Sequence, residues 1–176
     1  MTSFRDRVPA SAADTRMQPA FRRVLVCVQD ASQVHQAVEL ARRVSVPGTT
    51  EARVLHLNLR ENIGGRRFRL ETKSEASYVA EAAVFELRMA DLGASGEVRA
   101  ALVDRAADAI VAEATDWAAD VIVLGTPRRG EFMTRLFGSV TLRVLQRAPC
   151  PVLVPSATGK RGPHRADQEQ HARHRS

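Results

Sequence analysis

The chain has 176 residues and a net charge of +6, with 44% of its residues hydrophobic and 26% charged. This length suits one domain with tails. Two cysteines are too few for a disulfide-rich secreted fold, and no apolar run is long enough for a membrane span. We therefore expect a soluble cytoplasmic protein with no membrane partner, and the interspersed charges of its middle section argue against a nucleic-acid partner.

The two ends of the chain differ in composition from the middle. Residues 1–20 are rich in Ala, Ser, Thr and Arg and show no sustained periodicity. Residues 157–176 have almost nothing apolar and carry five basic against two acidic residues. Segments that cannot bury apolar surface stay disordered. We predict disordered tails at 1–20 and 157–176 and a single domain at 21–156.

Strands and helices alternate in the first half of this domain. The β-branched run 24–28 indicates a strand buried on both faces. The helix that follows has Ser32 as its predicted N-cap and an apolar stripe of Val34, Ala37, Val38, Ala41 and Val44. A second strand is predicted at 52–58, and residues 59–70 are predicted to form a basic, glycine-containing loop.

The alternation continues in the second half. Thr72 and Glu75 have capping-box spacing before a helix. The predicted apolar stripe of that helix is Tyr78, Ala82, Phe85, Met89 and Leu92. The remaining predicted elements are a strand at 96–102, a helix capped by Asp104, a strand at 121–124, a helix beginning at Ser139 and a strand at 152–154. This order predicts an α/β fold with a doubly wound, five-stranded, mostly parallel sheet and helices on both faces.

The segment after the fourth strand contains parts of a phosphate cradle. The strand ends at Gly125, where the chain can turn freely, and a basic loop with Arg128 and Gly130 follows. Gly138 and Ser139 are then predicted to open a helix, whose free N–H groups can hold an anion.

Four separated segments resemble the universal stress protein family in order and spacing. They are the glycine spacing from Gly125 to Gly138-Ser139, the closing Ala-Pro-Cys-Pro-Val-Leu-Val before Pro155, the opening Val-Leu-Val-Cys-Val that ends at Val28, and the Leu-His-Leu that ends at Leu57. The resemblance covers residues 21–156. It implies an adenine nucleotide alpha hydrolase-like fold with strand order 3-2-1-4-5.

The resemblance also implies an ATP site in the crevice between the first and fourth strands. Adenine would lie near the ends of strands one, two and four, and the phosphates would lie on the glycine loop and the following helix. The residues of this chain at those positions are Cys27, Gln29, Leu57, Gly125, Arg128, Gly130, Gly138, Ser139, Val140 and Thr141. No catalytic residue and no metal ligand is predicted.

Two positions depart from the family pattern and count against ATP binding. Arg128 replaces the second glycine of the motif, so its side chain either obstructs the phosphates or supplies a cation to them. We favour obstruction, because the family uses a residue without a side chain there. Gln29 replaces the usual Asp, which removes a carboxylate but keeps a side chain that can form hydrogen bonds.

The expected function is that of a stress-response protein regulated by adenine nucleotide, which acts through its conformation or a regulatory protein partner. The resemblance further implies a homodimer through the last strand, where Val152, Leu153 and Val154 would form an exposed edge that invites strand pairing. Two alternatives stay open. One is a weak ATPase of related fold, for which Glu131 and Asp30 are the nearby acids. The other is a nucleic-acid accessory protein acting through the basic tail.

Overall fold

The computed structural model describes residues 21–125 and 134–155, and for residues 134–138 it describes the backbone only. The predicted tails, Arg128, Gly130 and Glu131 lie outside this part. The described elements, in chain order, are β1 Arg23–Val28, α1 Ala31–Val44, β2 Glu51–Ile63, β3 Arg66–Arg69, α2 Lys73–Arg88, β4 Gly93–Leu102, a 3₁₀ turn Val103–Arg105, α3 Ala106–Asp116, β5 Val121–Leu124, α4 Thr134–Arg147 and β6 Val152–Leu153.

The predicted α/β fold is confirmed. The central strand β1 pairs in parallel with β2 on one side and with β5 on the other. The outer edges of β2 and β5 pair in parallel with β4 and β6 respectively. The parallel strands therefore lie in the order β4-β2-β1-β5-β6, which matches the predicted 3-2-1-4-5. The sheet differs in detail because β3 joins it as a sixth, antiparallel strand.

The predictions of five strands and of a loop at 59–70 are therefore wrong. β2 continues to Ile63, turns through Gly64 and Gly65, and returns as β3. The two glycines have φ angles of 58° and 80°. Positive φ at both central residues gives a two-residue hairpin turn whose twist matches that of the strands, and glycine adopts it without steric cost. The glycines that indicated a loop thus form a turn between two strands.

Helices cover both faces of the sheet. Alternate side chains of β1 point to opposite sides because the strand is pleated. Val24, Val26 and Val28 pack in the core beneath α1 and α2. Leu25 and Cys27 pack in the second core, beneath α3 and α4. We call these two sides of the sheet the α1/α2 side and the α3/α4 side.

The first two helices begin at side-chain caps. The predicted N-cap Ser32 is wrong for α1, because Asp30 is the cap and its carboxylate accepts the N–H of Ser32 at 2.8 Å. The capping box of α2 is confirmed, with Thr72 and Glu75 exchanging hydrogen bonds. The N–H and the hydroxyl of Thr72 both donate to Glu75, and they lower the pKa of its carboxyl group.

The predicted apolar stripe of α2 is wrong for three of its four large side chains, whereas the fourth, Leu92, is buried. Tyr78, Phe85 and Met89 are 69%, 65% and 72% exposed. The helix instead buries a face of smaller residues, consisting of Ala76, Val79, Ala80, Ala83, Val84 and Leu87. Small side chains let the helix approach the sheet closely, and a Cβ atom added to Gly96 of β4 would lie 3.2 Å from Cγ2 of Val84.

A buried acid connects α3 to two strands. Glu113 is 1% exposed, and its carboxylate contacts the guanidinium groups of Arg53 on β2 at 2.8 Å and of Arg99 on β4 at 2.6 Å. The guanidinium of Arg53 also lies 4.8 Å from the centre of the Trp117 ring. A buried carboxylate needs such partners, since an unpaired buried charge is strongly unfavourable. The cluster connects α3 to β2 and β4.

Candidate functional site

The candidate site lies at the carboxyl ends of β1 and β5, where the strand order reverses. The chain passes from β1 into α1 on one side of the sheet, whereas α4 lies on the other side. The connections after the two strands therefore diverge and leave a crevice, which is the usual ligand position on such sheets. The N–H of Gly125 donates to the carbonyl of Cys27 at 2.8 Å and extends the pairing of the two strands to the edge of this crevice.

One pocket in the crevice brings together six of the ten predicted site residues. These are Cys27, Gln29, Leu57, Gly125, Val140 and Thr141. The other lining residues were missed in the sequence, and they are Val28, Gln33, Leu55, Leu59, Ala106, Ile110 and Leu124. Only the tertiary structure shows that Ala106 and Ile110 of α3 cover this pocket.

Two glutamine amides are the main polar groups of the pocket. The side-chain amide of Gln29 donates to the carbonyl of Leu57 at 2.8 Å, which connects the ends of β1 and β2. The side-chain oxygen of Gln33 accepts the N–H of Gln29 at 2.9 Å. Gln33 is fully buried, and its Nε2 has no hydrogen-bond partner among the described residues. An unpaired buried donor is unfavourable, so this amide is available to an acceptor on a ligand.

Gly125 has a packing role that does not depend on a ligand. A Cβ atom at this position would lie 2.9 Å from Oε1 of Gln33 and 3.1 Å from the carbonyl oxygen of Cys27. Any side chain would therefore displace Gln33 or separate the two strands. This close approach explains the glycine at the end of β5 whether or not a nucleotide binds there.

The pocket is narrow in this structure. The cavity between the lining residues measures about 40 Å³, whereas pockets for drug-sized ligands measure roughly 300–1,000 Å³. It has room for a few water molecules. Its aliphatic walls and two amides suit a purine ring, which needs apolar faces and polar edges. The pocket must widen before such a ring can enter, and residues 126–133, which follow Gly125, lie outside the described residues.

The predicted start of the fourth helix at Ser139 is wrong, because α4 begins at Thr134. Gly138 and Ser139 lie in its second turn. Only the first four N–H groups of a helix lack intrahelical partners, so the N–H groups of these two residues are not the free ones. One glycine inside a helix costs only about 1 kcal/mol, which the rest of the helix can offset. Ser139 lines a separate cleft with Val103, Asp104, Ala107, Val140 and Arg143.

The remaining reactive groups do not form a catalytic arrangement in the described part. Asp30, one of the two acids considered for an ATPase, is occupied as the cap of α1. Burial raises the pKa of the Cys27 thiol far above its ordinary value, and burial also raises that of Cys150. Both cysteines are free thiols. Residues 21–125 and 134–155 contain no group of side chains suited to a metal ion, and no helix in them is long and apolar enough to span a bilayer.

His56 lies outside the pocket, because its side chain points to the α1/α2 side of the sheet. It is fully buried, and its Nε2 lies 2.7 Å from a carboxylate oxygen of Glu71. Its Nδ1 has no partner in the described part of the chain.

Comparisons with known proteins agree with the fold. The universal stress protein from Archaeoglobus fulgidus in complex with dAMP is 27% identical, with 78% of this chain and 99% of that chain covered and a TM-score of 0.54. A structure of the universal stress protein from Archaeoglobus fulgidus without a named ligand is 25% identical, with 76% and 93% covered and a TM-score of 0.53.

A more distant structure shows the same fold. The universal stress protein family protein from Arabidopsis thaliana with AMP bound is 17% identical, with 82% of this chain and 97% of that chain covered and a TM-score of 0.55. No curated protein sequence matches the chain. The model of the universal stress protein family matches residues 20–155. Since that match spans most of the chain, the protein belongs to the universal stress protein family.

Proposed function

We propose that this protein is a cytoplasmic stress-response protein that binds an adenine nucleotide in the crevice between β1 and β5, with the monophosphate preferred over ATP. The observation that carries the proposal is the pocket itself, where aliphatic walls surround the amides of Gln29 and Gln33 at the strand ends. Two related structures with dAMP and AMP bound support this class of ligand. Arg128 in place of a glycine supports the shorter phosphate chain.

The narrow pocket links binding to a change of conformation. A cavity of about 40 Å³ cannot take a purine ring without movement of its walls. A ligand that binds only the widened state shifts the population toward that state. Such a shift would report the nucleotide concentration to a regulatory partner.

Titration calorimetry with AMP, ATP and GMP tests the proposal. We expect AMP to bind most tightly and GMP to bind poorly, because the pocket would contact the edge of the base. Ala106→Leu puts a larger side chain into the pocket and should abolish AMP binding. Ala112→Leu is the matched control, since Ala112 lies on the exposed side of the same helix. No AMP or ATP binding by the unaltered protein, or equal binding by both variants, would contradict the proposal.

Arg128→Gly tests why ATP would bind poorly. If Arg128 obstructs the phosphates, the variant should bind ATP more tightly, and adding Gln29→Asp should strengthen binding further. If Arg128 instead contacts phosphate, the variant should lose about 1–3 kcal/mol of binding free energy. We expect the first result, and tight ATP binding that disappears in Arg128→Gly would overturn it.

We also propose that the protein forms a homodimer through β6. In the described residues β6 pairs only with β5, which leaves its outer edge without a strand partner. Val154, which follows β6, is partly exposed, and Leu142 and Leu145 of α4 are more than half exposed. Sedimentation should show a dimer at about ten micromolar and a monomer for Val154→Lys, because a charge on this edge opposes strand pairing. A monomeric unaltered protein would contradict this.

A further inference from the structure

The β2–β3 hairpin extends beyond the body of the protein. The side chains of β2 are buried from Val54 to Leu59, but every residue from 61 to 70 is exposed. Both sides of the hairpin are therefore free to contact another molecule. Because these side chains are exposed, packing within the domain does not explain them. Isolated two-stranded hairpins are also only marginally stable.

The pleat of the hairpin places most of its arginines on one side. The pairing places Arg60 opposite Arg69 and Asn62 opposite Arg67. These four residues lie on the α1/α2 side of the sheet, in line with His56, and we call them the arginine face. The opposite side carries the partly exposed side chains of Ile63, Phe68 and Leu70, together with the oppositely charged Glu61 and Arg66. The arginine face therefore carries positive charge alone, whereas the two charges on the opposite side balance.

The positive charges of the arginine face have no ion-pair partner in the part of the chain that the structure describes. Neither Arg60, Arg67 nor Arg69 forms an ion pair with any residue in 21–125 or 134–155. The Nε of Arg60 is buried without a hydrogen-bond partner in the same part of the chain. Glu71 follows the hairpin, but its carboxylate contacts His56 at 2.7 Å. Like charges directly opposite each other destabilise a strand pair, so this arrangement opposes folding of the hairpin unless an anion binds.

We propose that the arginine face binds the phosphate backbone of a nucleic acid. Side chains on one face lie about 5 Å apart across two strands and about 7 Å apart along one strand. Such closely spaced guanidinium groups suit a polyanion with closely spaced phosphates, and the planar guanidinium is the preferred side chain for phosphate. A two-stranded ribbon also fits the major groove of DNA, where the amide of Asn62 would reach a base edge. This site is independent of the crevice between β1 and β5.

A membrane surface fits the hairpin less well. A bilayer would take up the apolar residues Ile63, Phe68 and Leu70, which lie opposite the arginine face. The guanidinium groups would then point away from the lipid headgroups, although anionic headgroups are what attract basic residues to a membrane. Interspersed charges along the sequence counted against a nucleic-acid partner, but the hairpin brings Arg60, Arg67 and Arg69 together on one side with no acidic residue of the hairpin among them.

Fluorescence anisotropy on the full chain tests the proposal, with labelled single-stranded RNA and duplex DNA of about 20 nucleotides and salt from about 50 to 200 mM. The test variant is Arg67→Gln with Arg69→Gln. The matched control is Arg42→Gln with Arg43→Gln, which removes the same charge from exposed positions on α1. We expect the hairpin variant to bind about tenfold more weakly and its salt dependence to fall by about two units of slope, while the control keeps both values.

Three results would overturn the proposal. The first is no binding of either nucleic acid by the unaltered protein at about 50 mM salt. The second is an equal change in both variants, which would assign binding to overall charge or to the basic tail at 157–176. The third is binding to vesicles that contain anionic lipid, lost in Phe68→Ser, without binding to RNA or DNA. Unchanged thermal melting of the variants excludes misfolding as the cause of any loss.

Discussion

The two halves of β2 belong to one strand but meet different constraints. Residues 52–59 pair with β4 on one edge, and most of them also pair with β1 on the other, so their side chains are buried except that of Arg53. Residues 61–63 pair only with β3 and are exposed on both sides. The buried half must be mainly apolar and well packed, whereas the projecting half can change without loss of the core.

This difference shows where the molecule can carry function at low cost to stability. The pocket residues on β2, Leu55 and Leu57, serve both the core and the crevice, so few substitutions are compatible with both roles. The side chains of hairpin residues 61–70 are exposed and do not pack in a hydrophobic core. Its arginines therefore need another explanation, and ligand binding is the one that we propose.

The largest effect is expected for a cavity in the buried half. Leu55→Ala should lower the free energy of unfolding by about 3 kcal/mol, because it removes fully buried methyl groups and leaves a cavity. Ile63→Ala in the projecting half should change it by less than about 0.5 kcal/mol. Urea denaturation measures both. Comparable losses for the two variants would mean that the hairpin is part of the cooperative core, and the comparison would fail.

A smaller loss is expected at the junction between the two halves. Glu71→Ala leaves the fully buried His56 without its hydrogen-bond partner, and an unpaired buried polar group costs about 2 kcal/mol. Glu61→Ala, on the exposed hairpin, is the control and should be nearly neutral. Urea denaturation of both variants decides the question. If Glu71→Ala is as stable as the control, His56 and Glu71 do not anchor the hairpin to the sheet.

The helix that follows the hairpin gives a smaller, pH-dependent effect. Thr72→Ala removes the N-cap of α2 and should cost about 1 kcal/mol at neutral pH. Thr72 holds the pKa of Glu75 below its ordinary value. The stabilisation from the hydrogen bonds between Thr72 and the Glu75 carboxylate is therefore complete above the ordinary pKa, and it is lost as the pH falls through the lowered pKa. The variant keeps the N–H of residue 72 that donates to Glu75 and loses the hydroxyl that accepts the N–H of Glu75, so thermal melts should show the difference between the two proteins shrinking but not vanishing below about pH 4. A difference that grows in acid would contradict the assignment.

The smallest effect concerns thiol reactivity and involves no change in stability. Cys27 lies on β1 opposite Leu55 of the buried half, and burial raises its pKa. Cys150 is only partly buried, and burial raises the pKa of its thiol as well. Iodoacetamide labelling followed by mass spectrometry should modify Cys150 slowly, faster as the pH rises, and Cys27 only after unfolding. Rapid native labelling of Cys27 would show that the pocket opens readily.

The candidate site was only partly predictable from the sequence. The resemblance identified strand-end residues such as Gln29 and Leu57, because motif spacing determines which residues follow which strands. It could not identify Gln33, whose role depends on a hydrogen bond from Gln29 and on close contact with Gly125. It misplaced the start of α4, because a Gly-Ser pair is compatible with a helix interior when the surrounding residues form the helix.

The sequence by itself determined the alternation of strands and helices, the membership of the family and the order of the parallel strands. Periodicity, caps and motif spacing are properties of neighbouring residues, so they can be read along the chain without knowledge of tertiary contacts. Only the tertiary structure decided which apolar side of α2 is buried, which helix covers the pocket and how the hairpin arginines are grouped. These outcomes depend on close approach, on strand register and on pleat. In the hairpin, the register set by Gly64 and Gly65 brings Arg60 opposite Arg69, and no pattern along the chain states that pairing.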